Sequence, residues 1–539
     1  MNESHIPYDV LTSTFQRFAA IPWTPAGEEE RQKKLHVPMP FPWVDLSSVI
    51  AISHVSKRWR EAALATPACW STVTIKFTNA NKDRAEKEKV RLEFLLSRAQ
   101  TFPFDVIILD EGMNETWPSH AEVLTDIMLS TIKQARGVYA RVMDTRLASL
   151  IAENLADVPM LECLALWWDG SEVLQIDSFT DDYSQLCMPK AYLRHAPRLR
   201  SIQARGFPYP DLRDGPISLL SLETFISEDN VFLHQTIQDY DLLLHSCERA
   251  TSFTLLPDYH LRNISRGPII TLSHLVYLGL SVTSMVGLFY PSPRFIAPSL
   301  GTIAIHSKGE VYFTQTMLEP IAREFEKSTA PRKRFILIMP GDDSRGFPGQ
   351  SSLPCSLKAC IQVLNLFKFV QDVEFKHNVW NFKPSWNRTW ITGADPAWAM
   401  QTGAIVPLYQ QNAPEENNES PCIDGGGPGG ANILGNGPHS HPDLGRDEIS
   451  LFLDSQKESF MPNIRTISFE NCTFTGSIGA ANFALALACR QEISKKTGTF
   501  TELEMISLIG KPNEASMVFC SQLRQAKGLE DVIIQVASA

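Results

Sequence analysis

Three stretches hold residue types that can do chemistry. In PHSHPD, His439, His441 and Asp443 offer two imidazoles and a carboxylate, donors that suit zinc or nickel. A closed site needs about four ligands, and no further ligand cluster lies near, so solvated loop histidines are the better reading. GGGPGG, at 425–430, spells G-x-G-x-x-G. That fingerprint cradles a pyrophosphate only between a strand and a helix N-terminus; here a proline sits inside it and neither element flanks it, so it reads as loop. The stretch KAYLRHAPRLRSIQAR, at 190–205, carries Lys190, Arg194, Arg198, Arg200 and Arg205 without an acidic residue. Such a set suits a phosphate or an acidic peptide, against the plainer reading of a solvated helix end and turn.

No G-x-S-x-G, Walker A, H-E-x-x-H or Cys/His nucleophile arrangement occurs. The expectation is a protein that is not an enzyme, with no cofactor and no metal. A formal net charge of -11 over 539 residues argues against broad binding to nucleic acid or to an anionic membrane. The ten cysteines are scattered without a C-x-x-C, as free intracellular thiols would be. The opening MNESHIPYDVLTSTF lacks the charged and apolar regions of a secretory signal, and no run of 18 apolar residues occurs. An intracellular place, cytoplasmic or nuclear, is expected, so the six N-x-S/T sequons read as chance.

The elements that must position such residues follow from periodicity. IPYDVLTSTFQRFA places Ile6, Val10, Leu11 and Phe15 near helical spacing, with Pro7 where a first turn tolerates it. Residues 21–43 form a proline-rich linker around EEERQKK. A second helix is predicted over about 45–65, with Leu46, Val49, Ile50, Val55, Trp59, Ala62 and Ala63 at three- and four-residue spacings. Thr66-Pro67 ends it or starts a separate short one. WSTVTIKF then alternates as a strand, DRAEKEKVRLEFLLSR reads as a helix and FPFDVIIL as another strand.

Segments of the form L-x-x-L-x-L recur further on: LECLAL, LRSIQA, ATSFTL, LVYLGL, LGTIAI, VQDVEF, IRTISF, LEMISL and LEDVII, with LETFIS fitting except at its last position. In a chain that is 44% apolar, three chosen positions are all apolar with a chance of roughly 0.085. What carries weight is order, since the segments tend to follow turns and are separated by helix-like stretches. Two extend to an Asn or Cys: Val370, Val373, Phe375, Asn378, Trp380 and Ile464, Ile467, Phe469, Cys472, Phe474. In that design the Asn or Cys side chain satisfies backbone groups at the bend after each strand. The expected fold class is α/β: a short N-terminal helical module over 1–79, then an irregular leucine-rich-repeat-like solenoid over 80–539. A Gly/Pro/Asn-rich loop at about 383–446, too poor in apolar surface to fix a conformation, interrupts it.

The N-terminal motifs resemble an F-box of the mushroom-type fungal kind. Ile6-Pro7 stands for its Leu-Pro, Thr14-Phe15 for Ile-Phe, Val55-Ser56-Lys57-Arg58-Trp59 for Val-Cys-Arg-x-Trp, and Thr66-Pro67-Ala68-Cys69-Trp70 for Thr-Pro-x-x-Trp. Ser56 replaces the usual Cys, and Thr14 an apolar residue. The resemblance implies a substrate-receptor subunit of a cullin-type ubiquitin ligase. Its F-box would dock the Skp adaptor through Ile6, Pro7, Val10, Leu11, Phe15, Val49, Val55 and Trp59, and its repeats would bind a protein substrate. The alternative is a non-catalytic interaction scaffold whose helices pack internally. Strand alternation assigns Trp167, Arg205, Tyr277, His306, Glu374, Lys376 and Glu470 to the outward, substrate-facing set.

Overall fold

The computed structural model describes residues 6–19, 46–77, 82–99, 102–110, 119–168, 193–205, 221–228, 244–256, 269–289, 293–306, 315–338, 366–376, 379–381, 463–475, parts of 484–498, 501–510 and 513–537 except 527. The linker at 21–43 and the loop at 383–446, with its glycines, His439, His441 and Asp443, lie outside them. The chain forms two compact units: residues 1–308 with 313–338, and residues 309–312 with 339–539.

The first unit opens with α1 (Tyr8–Ala19), α2 (Leu46–Ser53) and α3 (Lys57–Leu64), then a 3-10 turn at Pro67–Trp70. The single helix expected over 45–65 is two. Ser56 has an extended backbone (φ -157, ψ 169), and its Oγ accepts the Trp59 N–H at 3.3 Å. A serine at that place is a helix N-cap, which fixes the break between α2 and α3. Beyond the turn come β1 (Thr72–Phe77), α4 (Lys82–Ala99), β2 (Asp105–Asp110), α5 (Ser119–Ile132), β3 (Gly137–Val142), α6 (Thr145–Asn154), β4 (Cys163–Trp168), β5 (Ser201–Arg205), β6 (Thr224–Glu228) and β7 (Ser252–Leu256). The unit continues through β8 (Ile270–Thr271), β9 (Tyr277–Ser281), α7 (Val282–Phe289), β10 (Phe295–Ile296), β11 (Thr302–His306), α8 (Gln315–Lys327) and β12 (Arg334–Ile338).

Strands β1 to β7, β9, β11 and β12 pair side by side in that order, every pairing parallel; β8 and β10 form a separate parallel pair. Register aligns two apolar columns. One runs Val73, Val106, Val138, Leu164, Ile202, Phe225, Phe253, Leu278, Ile303, Phe335, all buried. The other runs from Ile75 through Leu166 to Leu337 with one polar member, Ser227. Within the first column, Phe225 stacks on Phe253 at 5.2 Å between centroids. Parallel strands joined by crossovers, with helices among them, make this a mixed α/β protein. Gly279 is required by close approach, since a Cβ there would sit 2.8 Å from Thr254 Oγ1 on the neighbouring strand.

The second unit holds β13 (Asp372–Lys376), β14 (Val379–Asn381), β15 (Thr466–Glu470), β16 (Thr473–Thr475), β17 (Met505–Ile509), α9 (Glu514–Gln525) and β18 (Ile533–Ala537). β13, β15, β17 and β18 pair in order and in parallel, and β14 pairs with β16. Phe375 and Phe469 stack at 5.5 Å, and Phe519 of α9 meets Phe469 edge-on at 5.7 Å. Every L-x-x-L-x-L segment named above falls on a strand; β1, β2, β3 and β12 and the short strands β8, β10, β14 and β16 lie outside that set.

A buried ion pair ties β2 to the turn before β3. Arg136 donates through Nε and Nη2 to Asp105 at 3.1 and 2.6 Å, and the carboxylate side chain is 1% exposed. Burial pushes the Asp105 carboxyl above its ordinary value, and the guanidinium pulls it back in part. Arg136→Met removes that pull and is expected to destabilise the protein by about 3–5 kcal/mol at pH 7. A carboxyl with a folded pKa above its unfolded one favours folding below the unfolded value, and that contribution is lost as pH rises through the folded value. The penalty of Arg136→Met is therefore smaller at pH 4 than at pH 7, and adding Asp105→Asn relieves it at pH 7; urea titrations at both pH values measure this.

Candidate functional site

The three N-terminal helices form a small module packed on the 3-10 turn. Pro7 starts α1, its carbonyl accepting the N–H groups of Val10 and Leu11 at 3.1 and 3.3 Å. Leu11, Phe15 and Val49 are buried, and Phe15 meets the Trp59 ring edge-on at 5.9 Å. Thr14 is accommodated because its hydroxyl donates to the Val10 carbonyl at 2.8 Å. Trp70 Nε1 donates to the Ala63 carbonyl at 2.9 Å, and Cys69 Sγ to the Phe15 carbonyl at 3.5 Å. Tyr8 Oη reaches the Glu61 carbonyl at 3.3 Å.

The predicted docking residues divide on this geometry. Leu11, Phe15 and Val49 form the module's own core, with Trp59 and Ile6 half-buried, while Pro7, Val10 and Val55 are exposed. Two further apolar side chains are as open: Tyr8 at 41% and Ile50 at 42%, beside Val10 at 50% and Val55 at 58%. Ile50 belongs to the apolar periodicity of its helix. What marks it out is exposure, which periodicity does not encode.

The strand set is deeper than alternation suggests. Trp167 and His306 are buried, Arg205 and Tyr277 half-buried. Trp167 packs edge-on against Tyr139 at 4.8 Å, within a cluster that includes Ile107, Cys163 and Ala165. Tyr277 packs on Ala304, Ile336 and Ile338. In the second unit Glu374 and Lys376 are buried and Glu470 half-buried; the Lys376 ammonium lies 3.1 Å from Glu374 and pairs also with Glu470. Expected outward, Trp167, His306, Glu374 and Lys376 are instead enclosed. The cause is that apolar or oppositely charged neighbours stand around them. Glu374, Lys376 and Glu470 are brought together as an internally compensated cluster, a structural arrangement before a recognition one.

The bend after β15 behaves as its sequence suggests: Cys472 Sγ donates to the Phe375 carbonyl of the neighbouring strand at 3.3 Å. Asn378 lies outside the described residues. Of the basic stretch at 190–205, Arg200 lies 3.8 Å from Glu223 with both side chains open, a surface pair of small energetic weight. Among the described residues no group of three or more His, Cys, Asp or Glu is placed to hold a metal ion. No helix among them is long and apolar enough to cross a membrane.

Neither the known family models nor the curated proteins contain a match to this chain.

Burial pushes the Cys69 thiol up to about 12 and the thiols of Cys163, Cys247 and Cys520 upward too. A neutral thiol is a poor nucleophile, so iodoacetamide at pH 8 should leave these four unmodified in the native protein, read by peptide mass spectrometry. Phe15→Ala should cost about 3–5 kcal/mol and make Cys69 reactive while Cys247 stays protected.

Proposed function

We propose that this chain is the substrate-receptor subunit of a cullin-type ubiquitin ligase, in which the N-terminal helices dock the Skp adaptor and the strand array captures a protein substrate. The observation that carries this reading is the exposure of Tyr8 and Val10 on α1, Ile50 on α2 and Val55 in the bend between α2 and α3, in a module whose own core, Leu11, Phe15 and Val49, is already filled. Apolar side chains left open after a module has packed are surface for a partner. The ordered F-box-like motifs around them support the Skp adaptor as that partner.

On the same reading the strands form an irregular leucine-rich-repeat-like solenoid. The recurring L-x-x-L-x-L segments, their aligned apolar columns and the Cys472 bond at the bend after β15 support this. The protein acts by binding rather than by catalysis, and works inside the cell, where the adaptor is. A second reading, a scaffold that docks no adaptor, draws on the internal packing of Phe15, Trp59 and Cys69.

The test is co-purification of the Skp adaptor with the full chain and with Val10→Asp/Val55→Asp, two exposed positions whose replacement leaves the module core untouched. The adaptor should accompany the parent and fall by about tenfold or more with the variant, the scale of losing central apolar contacts. A folded parent chain that captures no adaptor overturns the receptor reading in favour of the scaffold.

A further inference from the structure

The apolar columns of the second unit run out onto an open edge. Ile467 and Ile506 align with Ile534, and Phe469 and Leu508 align with Val536. The inner members of both columns are buried, whereas Ile534 is half-buried and Val536 is 39% exposed. On the opposite face of β18, Ile533 is 64% exposed and Gln535 is open as well. Among the described residues β18 pairs with β17 alone.

The direction of the backbone groups on that edge follows from the bonds on its inner side. Ile533 N–H donates to the Glu504 carbonyl at 3.0 Å, and the Ala537 carbonyl accepts the Gly510 N–H at 2.9 Å. Backbone groups alternate in direction along a strand, so residues 533, 535 and 537 turn theirs toward β17. Ile534 and Val536 then each turn an N–H and a C=O away from it. Natural sheet edges are blunted by a charge, a proline or a bulge. The β18 sequence IIQVA has neither charge nor proline, and its register on β17 is unbroken. Asp531, just before it, is already paired with Lys495 at 2.7 Å.

We propose that this edge pairs with the same edge of a second copy of the chain, antiparallel, about a two-fold axis at Gln535. An antiparallel register forms bonds only where it sets outward-turned residues against each other, and the register centred on Gln535 uses all of them. Ile534 exchanges N–H···O bonds with Val536 of the second copy, and Val536 with its Ile534. Each apolar column thereby continues across the axis into the other copy. On the opposite face Ile533 meets Ala537, and Gln535 meets itself, where one amide donates to the other. No charge within the strand opposes a like charge. A two-fold contact also closes on itself, whereas head-to-tail pairing would run on into fibres. An edge of five residues is smaller than a standard interface of roughly 1,600 Å², so the dimer is weak and depends on concentration. The inference stands apart from the receptor reading, which concerns the other unit.

The experiment is sedimentation equilibrium of the full chain from about 1 to 100 μM, the range that populates a weak dimer. The mean mass should rise toward twice that of one chain. Val536→Pro removes an outward N–H that bonds nothing in the single copy, a place where a sheet edge tolerates proline. It should keep the circular dichroism of the parent and weaken self-association by about tenfold or more. A second variant reads the register without relying on that one. Gln535→Cys sets two thiols across the axis with Cα atoms about 4.5 Å apart, within reach of a disulfide, so mild oxidation should give a covalent dimer. Ile533→Cys is at least as accessible, yet its two copies would stand about 14 Å apart in this register and should stay as uncrosslinked as the parent. A parent that remains monomeric throughout, a dimer that Val536→Pro leaves intact, or cross-linking at 533 equal to that at 535 would each overturn the proposal. The first of these would leave the edge to an extended segment of a different protein.

Discussion

A parallel strand cannot satisfy its own backbone, and everything else in this protein depends on that constraint. Each strand from β2 to β7 has its N–H and C=O groups met by the strand before it and the strand after it. Register is then held by side chains, because a slip of one residue would turn each apolar column to the opposite face. Val73 through Phe335 form one such column without a polar member. Ser227 interrupts the other between Ala204 and Leu255, and the aromatic pair Phe225 and Phe253 stacks beside it on the same two strands.

The first strand meets a different requirement, because what precedes it is helical. Thr66 donates to the Ala62 carbonyl at 2.8 Å, Trp70 to Ala63 at 2.9 Å, and Ser71 to Ala68 at 2.7 Å. These bonds occupy carbonyls at the end of α3 and in the turn that follows, which helix termini otherwise leave without partners. The Trp70 ring also meets Phe94 of α4 edge-on at 6.1 Å. The stretch from Ser56 to Phe77 thus joins the helical module to the strands through its core side chains, and a partner on the module's open apolar surface would bind a part already anchored.

Much of this organisation was legible in the sequence, and the reasons it was legible are also the reasons for its limits. L-x-x-L-x-L found its strands because large apolar residues at three fixed offsets leave a strong signal. β3 carries the same spacing in Ala135, Val138 and Ala140, all buried, but small side chains do not stand out from background. Helical periodicity ran through Ser56 because the apolar positions of α2 and α3 happen to continue in phase. The cap that separates them depends on one hydroxyl and one extended backbone residue. Alternation set Trp167 and Lys376 on the face opposite the apolar columns, yet it encodes which face a side chain takes and not how deeply its neighbours enclose it, and both are buried.

That difference between face and depth separates two groups of charges that look alike in sequence. Lys376 stands between Glu374 and Glu470, so its charge is balanced by neighbours in the same unit, and removing the lysine would leave the enclosed Glu374 carboxylate without that compensation. Arg141 and Arg205 stand either side of Trp167 in register, and remain half-buried at the margin of an apolar cluster. A guanidinium keeps its charge and its planar donors at any accessible pH, and stacks readily on aromatic faces.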